Sequence, residues 1–182
     1  MENLNFYTVP LDYVEYLQKA ELHKRGFTRV PNLEYGKERN QKFLCGIVLR
    51  INEMDYYVPV SSYKIQKADN FLICEKDGHA VSSLRFNYMF PVPRNLVKVR
   101  RIFLEPDEKY RALLTMELRY CIRNQDEIRR LAQRTYRRVL QAKNPGLVHN
   151  SCDFLLLEEK CRSYTMEKSK EKVMSKETEW ER

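Results

Sequence analysis

Glycine is scarce in this 182-residue chain, with five in all at Gly26, Gly36, Gly46, Gly78 and Gly146. No two are spaced for a G-x-G-x-x-G turn or a P-loop, so those phosphate-cradling loops are absent. The five cysteines, Cys45, Cys74, Cys121, Cys152 and Cys161, are dispersed with no C-x-x-C pair. That excludes a zinc-finger pattern, and an odd count argues against a secreted disulfide framework. His23, His79 and His149 are isolated and form no H-E-x-x-H. No metal and no cofactor is therefore expected. No apolar run approaches the ~20 residues that cross a bilayer. The chain opens Met1-Glu2-Asn3, without a basic segment and apolar stretch behind it, so the expectation is a cytoplasmic protein with no membrane contact.

What is present describes a folded, basic protein. The composition is 43% hydrophobic and 12% aromatic, outside the range of disordered chains. Length predicts one domain, placed at 1–165, followed by a charged helical or disordered tail at 166–182. Lys and Arg number 33 against 25 Asp and Glu, a net charge of +8. Such a balance favours an acidic partner, with nucleic acid ahead of membrane.

The order of patterns predicts an α+β fold. Leu4 to Val9 is short, β-branched and aromatic, and reads as an edge or first strand stopped by Pro10. Leu11, Val14, Leu17 and Leu22 have near-helical spacing up to Gly26. Residues 27–42 form a long aperiodic loop. Phe43–Asn52 and Tyr56–Val60 read as a hairpin, as do Phe71–Cys74 and Ala80–Phe86 around Asp77-Gly78. Tyr88–Pro93 is a further, proline-broken strand. Three helices follow: one from after Pro106 to near Asn124, one capped by Asn124 and running to about Ala142, and one capped by Asn150 or Ser151. Strands first and helices last imply an antiparallel sheet with helices on part of its surface.

Between Arg119 and Lys143 stand eight basic residues and two acids, most of the net charge. Ile128, Leu131, Thr135, Val139 and Ala142 share one helical face, which should pack on the core; Arg130, Arg134 and Arg137 lie opposite. A solvated face explains this stretch, and so does a phosphate-binding surface. Arginine bonds phosphate bidentately and few acids are interleaved, which favours the second. The candidate RNA-binding residues are Arg119, Arg123, Arg130, Arg134, Arg137 and Arg138, with Lys37 and Arg39 in the long loop. A further basic cluster is Arg94, Lys98, Arg100 and Arg101.

Ser61-Ser62-Tyr63-Lys64 gathers two hydroxyls and an ammonium where a strand enters a loop. An ordinary polar loop has the same composition, so the tetrad alone does not establish chemistry.

Six pieces in order resemble one family: Asn5–Val9, Tyr13–Leu17, Lys42–Leu49, Tyr57–Lys64, Phe86–Val92 and Cys152–Lys160. Together they resemble the ToxN/AbiQ family of type III toxin–antitoxin ribonucleases, and within it the CptN branch. The resemblance spans about residues 4–164. It implies a strongly twisted antiparallel sheet partly surrounded by helices, similar to the MazF/Kid toxins. It implies an endoribonuclease that cuts messenger RNA and its own antitoxin precursor at adenine-rich sites, in phage defence by abortive infection. The implied inhibitor is a repeat-derived RNA pseudoknot, alternating with the toxin in a closed hetero-oligomer. The chemistry implied needs no metal: a 2′-hydroxyl attacks the adjacent phosphate, leaving a 2′,3′-cyclic phosphate and a 5′-hydroxyl. By resemblance, Ser62 is the central serine and Ser61 its Thr/Ser neighbour, both bonding the scissile phosphate. Lys64 stabilises the phosphorane and donates a proton, and Lys42 stabilises charge. Tyr35 matches a loop tyrosine, at a longer spacing from Lys42 than the family pattern. Tyr63 stands where the family often has proline. Two other readings fit the residues: a non-catalytic RNA-binding module, and a metal-dependent nuclease.

Overall fold

The structure is a computed structural model and describes residues 2–34 and 42–166. The long-loop residues Tyr35, Lys37 and Arg39, and the tail beyond Met166, lie outside the described residues. The strands are β1 (Asn5–Thr8), β2 (Leu44–Ile51), β3 (Met54–Ser61), β4 (Asn70–Cys74), β5 (Ala80–Arg85), β6 (Phe90–Pro91) and β7 (Lys98–Val99). The helices are α1 (Leu11–Arg25), α2 (Glu108–Arg123), α3 (Gln125–Leu140), α4 (Pro145–His149) and α5, described over residues 154–166. All strand pairs are antiparallel, in the order β4-β5-β3-β2-β1-β7, with β6 also on β3. The α+β expectation holds.

β3 organises the sheet. Along one edge it pairs with β2 from Met54 to Pro59. On the other edge Tyr56 and Tyr57 pair with β6, then Val60 and Ser61 pair with Leu84 and Ser83 of β5. Ser61 therefore sits where the β4–β5 hairpin joins the rest of the sheet. Gly46 of β2 lies opposite Tyr57, and a Cβ at Gly46 would run into the Tyr57 ring.

Helix ends follow local chemistry. α1 stops at Gly26, which has φ 73° and whose N–H donates to the Leu22 carbonyl at 2.9 Å. Asp107 caps α2 by accepting from Tyr110 N at 3.0 Å. The buried face of α3 comprises Ile128, Leu131, Ala132, Thr135, Tyr136 and Val139, packed toward β2.

Two buried carboxylates join the layers. Glu21 accepts from the backbone N–H groups of Arg29, Val30 and Asp153, from Thr28 Oγ1 and from Arg25. It thereby fixes the start of the 27–34 segment against α1 and the approach to α5. Glu158 accepts from the hydroxyls of Tyr56 at 2.8 Å and Tyr136 at 2.7 Å, and from Asn52.

Several expectations are corrected. β1 is the first strand but not an edge, because the two-residue β7 pairs on its outer side. The Tyr88–Pro93 strand shrinks to Phe90–Pro91, since prolines 91 and 93 supply no ladder N–H, and Phe86–Tyr88 forms a 3₁₀ turn. Asn124 does not cap α3 with its side chain; its Nδ2 donates back to the Tyr120 carbonyl at 2.9 Å. α3 ends at Leu140, leaving Ala142 exposed at φ 52° rather than buried. Asn150 and Ser151 belong to the end of the short helix α4, and it is Asp153 that accepts from Leu156 N at the start of α5.

Candidate active site

The first half of the site is built by the end of β3. After Ser61 the chain leaves the ladder, and Ser61 Oγ accepts from Tyr63 N at 3.2 Å, turning the backbone. Ser83 Oγ of β5 donates to the Tyr63 carbonyl at 2.5 Å. The Tyr63 ring is clamped by Arg85, whose guanidinium also lies over Tyr88. Asn70 closes the rest of this loop, donating to the Ile65 carbonyl and accepting from Lys67 N. A sequence rich in small polar residues thus becomes a loop with defined shape.

The second half comes from residues 31–34 and 42–43. Lys42 N donates to the Leu33 carbonyl at 2.9 Å, closing the base of the long loop, and Lys42 Nζ donates to the Asn32 carbonyl at 3.2 Å. The third wall is α2, through Tyr110, Leu113 and Glu117, at helical spacing.

These walls enclose a cavity of about 850 Å³. Ser61, Ser62, Lys42 and Arg85 line it. Hydroxyls, an ammonium and a guanidinium facing one space form a site for a phosphodiester. Lys64 does not line the cavity; it is exposed on the loop beside it. Tyr35 lies outside the described residues.

Two side chains of this cavity carry no signal in the tetrad. Arg85 follows a strand pattern and reads as an ordinary strand-end cation. Glu117 falls within an apolar helical stripe, where an acid reads as a surface residue; it is buried, and Ser82 Oγ donates to its Oε1 at 2.5 Å. Desolvation raises the Glu117 pKa above the usual carboxylate range, with the Ser82 bond pulling the other way.

α2 separates this cavity from a second cleft of about 1070 Å³. Its apolar part includes Val99, Phe103 and Ile122, and Phe103 is 71% exposed. Arg100, Arg101, Arg111, Arg119 and Arg123 also line it. The half-buried state of Leu118 and Ile122 follows from this placement, because α2 has a groove on each side.

The arginine stretch is thereby split. Arg119 and Arg123 face the cleft, whereas no arginine of α3 does. On α3, Arg130 is paired bidentately with Glu127 at 2.7 and 2.8 Å, and Arg134 donates to the Ala68 carbonyl at 2.8 Å. The side chains of Arg137 and Arg138 have no hydrogen-bond or ion-pair partner among the described residues. Of the further basic cluster, Arg94 is bound to Asp55 and Arg100 to Glu105, so both have structural work in the fold.

Among the described residues no three His, Cys, Asp or Glu side chains gather as a metal site, and no helix is long and apolar enough to cross a membrane.

A family model described as the toxin ToxN of type III toxin–antitoxin systems matches residues 5–162. Endoribonuclease ToxN of Pectobacterium atrosepticum is 28% identical over 173 residues, covering 90% of this chain and 95% of the relative. Endoribonuclease AbiQ of Lactococcus lactis subsp. lactis is 27% identical over 176 residues, covering 89% and 90%. Among solved structures, one from work on a processed non-coding RNA that regulates a bacterial antiviral system superposes with a TM-score of 0.74 at 28% identity, over 87% of this chain and 97% of that one. Another, from work on selective toxin inhibition by a non-coding RNA pseudoknot, has a TM-score of 0.78 at 24% identity over 90% and 99%, a likeness of fold.

Proposed function

The chain belongs to the ToxN family of type III toxin–antitoxin toxins, and from that premise we propose that it is an endoribonuclease which cuts RNA, without a metal ion, in the cavity behind Ser61 and Ser62. The observation that carries this reading is that Ser61, Ser62 and Lys42, from two separate segments, line one cavity of a size to take a nucleotide. The 2′-hydroxyl of the substrate attacks the neighbouring phosphorus, and the P–O5′ bond breaks. Ser61 and Ser62 hydroxyls donate to the non-bridging oxygens, where charge grows in the phosphorane. Lys42 stabilises that charge from the opposite wall. Lys64, exposed beside the mouth, closes over the bound strand and gives its proton to the leaving O5′.

The substrates are messenger RNA and the antitoxin precursor, cut at adenine-rich sites in the cytoplasm. A pseudoknot RNA antitoxin inhibits the toxin by occupying its RNA-binding surfaces, in a closed assembly of alternating protein and RNA, and the nuclease acts in phage defence by abortive infection. The arginine-lined cleft across α2 suits unpaired bases stacked on Phe103 with phosphates on Arg119 and Arg123. Lys37 and Arg39 contribute to RNA binding and Tyr35 to catalysis, by likeness to the family's pattern. Residues 1–165 act as a single catalytic domain.

Purified protein incubated with single-stranded RNA in EDTA tests this. Cleavage is expected, and Ser62→Ala and Lys64→Ala are expected to abolish it while RNA binding persists. RNA left intact at every enzyme concentration, with binding intact, would favour a non-catalytic RNA-binding module instead. Cleavage that stops in chelator and returns with added metal would favour a metal-dependent nuclease.

A further inference from the structure

The residues assigned above lack one function. A 2′-hydroxyl must lose its proton as it attacks, and neither a serine hydroxyl nor a protonated lysine is a good acceptor. Glu117 has the position for it. It stands on the cavity side of α2, one and two turns beyond Leu113 and Tyr110. Oε1 is occupied by Ser82 Oγ. Oε2 has no hydrogen-bond partner among the described residues and is not one of the enclosed unpartnered atoms, which leaves it open to the cavity. No Lys or Arg forms an ion pair with Glu117 among the described residues. Ser82 in turn precedes Ser83, the partner of Ser61, so in the antiparallel ladder Ser82 and Ser62 lie at the same end of the β3–β5 pair. The carboxylate is thus anchored in the wall of the same cavity that Ser61 and Ser62 line.

We propose that Glu117 is the general base of the cleavage, and this rests on the nuclease reading above. Its Oε2 takes the proton of the 2′-hydroxyl; the 2′-O–P bond forms and the P–O5′ bond breaks; O5′ takes its proton from a lysine ammonium. Solvent then exchanges the two protons back, and no oxidant or further reactant is needed. Burial supports the assignment because a carboxylate of raised pKa is a stronger base at the working pH. The charged and titratable groups around the cavity are Glu34 and Lys42 on the loop side, Arg85 at the end of β5 and Tyr88 just after it, Glu105 and Asp107 before α2, and Tyr110 in its first turn. Cys121, buried one turn further along α2, also feels the Glu117 charge. Glu105 is already paired with Arg100, and desolvation outweighs the Ser82 bond in setting the direction at Glu117.

The test uses the full chain, an adenine-rich single-stranded RNA and single-turnover rates in EDTA across pH. Glu117→Gln keeps an oxygen to accept from Ser82, so the local fold is retained. It is expected to lower the rate roughly 100-fold or more and to remove the acid limb of the pH profile, with RNA affinity unchanged. Ser82→Ala removes a bond that favours the ionised carboxylate, so it is expected to move the acid limb to higher pH. Glu117→Gln cleaving at close to the parent rate with its acid limb intact overturns the proposal. So does a rate loss that weaker RNA binding explains in full, or a limb that Ser82→Ala leaves in place. In each of these cases the parent still cuts RNA; a parent that leaves RNA intact would instead overturn the nuclease reading itself.

Discussion

The Arg85 guanidinium lies 4.8 Å from the centre of the Tyr63 ring, and this contact holds the loop that presents Ser61 and Ser62. It also places a cation at the cavity wall. Arg85→Ala is therefore expected to lower kcat/KM by about tenfold to 100-fold, because a small misplacement of the serines is costly. Stability should fall by only about 1–2 kcal/mol, the scale of two cation–π contacts, to Tyr63 and Tyr88. Paired cleavage kinetics and thermal unfolding check both numbers. Equal kcat/KM in the variant would mean that the loop holds its shape without this clamp.

The tetrad was visible in the sequence because hydroxyls and a lysine adjoin a strand end. Its geometry was not, because the clamp comes from Arg85 and Ser83 on another hairpin. Glu117 was invisible for a related reason: helical spacing marks the apolar stripe but says nothing of a second groove beside it. The strands β2 to β5 were legible from alternation and the Asp77-Gly78 turn, while β7, with two residues, is too short to leave a pattern. Arginine content marks the 119–143 stretch as basic, but the stretch presents two separate faces. Asn124 ends one helix and begins the next, so Arg119 and Arg123 turn away from Arg130 and Arg134.

That division gives a second prediction. Charge reversal at Arg119 and Arg123 is expected to weaken antitoxin RNA binding and flatten its salt dependence, with each lost phosphate contact reducing the slope by roughly 0.7–0.9. Arg130→Ala should change the slope less, because Glu127 already engages that guanidinium. Arg137→Ala should change it more than Arg130→Ala. Binding titrations over a range of salt concentrations separate these cases.

Asp55 predicts a pH dependence of stability. Burial alone would raise its pKa, but the bonds from Arg50 and Arg94 outweigh burial and hold it below the ordinary carboxylate value. A carboxyl depressed in the folded state stabilises fully above its unfolded pKa of about 3.9 and loses that contribution as pH falls through the lower folded value. Asp55→Asn should cost about 2–3 kcal/mol at neutral pH, the scale of a hydrogen bond to a charged group. The difference from the parent should shrink only below about pH 4. Denaturant unfolding of both proteins from neutral to acid pH tests the shape of that curve.

Gly46 predicts a purely steric effect. A methyl there meets the Tyr57 ring, which is itself held edge-on to Tyr7. Gly46→Ala should destabilise by about 1–3 kcal/mol, the cost of overpacking a core. Combining it with Tyr57→Ala should recover part of that loss relative to additivity. A double-mutant cycle in thermal or chemical unfolding reads the coupling directly.

The ends that cleavage leaves report which oxygen attacks the phosphorus. In EDTA, the parent protein should convert an adenine-rich RNA into an upstream fragment ending in a 2′,3′-cyclic phosphate and a downstream fragment with a free 5′-hydroxyl, both resolved by mass. A substrate with a 2′-deoxy sugar at the cut site should remain intact. Fragments with 5′-phosphate ends, or cutting of the 2′-deoxy substrate, would contradict attack by the 2′-hydroxyl and with it the roles assigned to Ser61, Ser62 and Lys42.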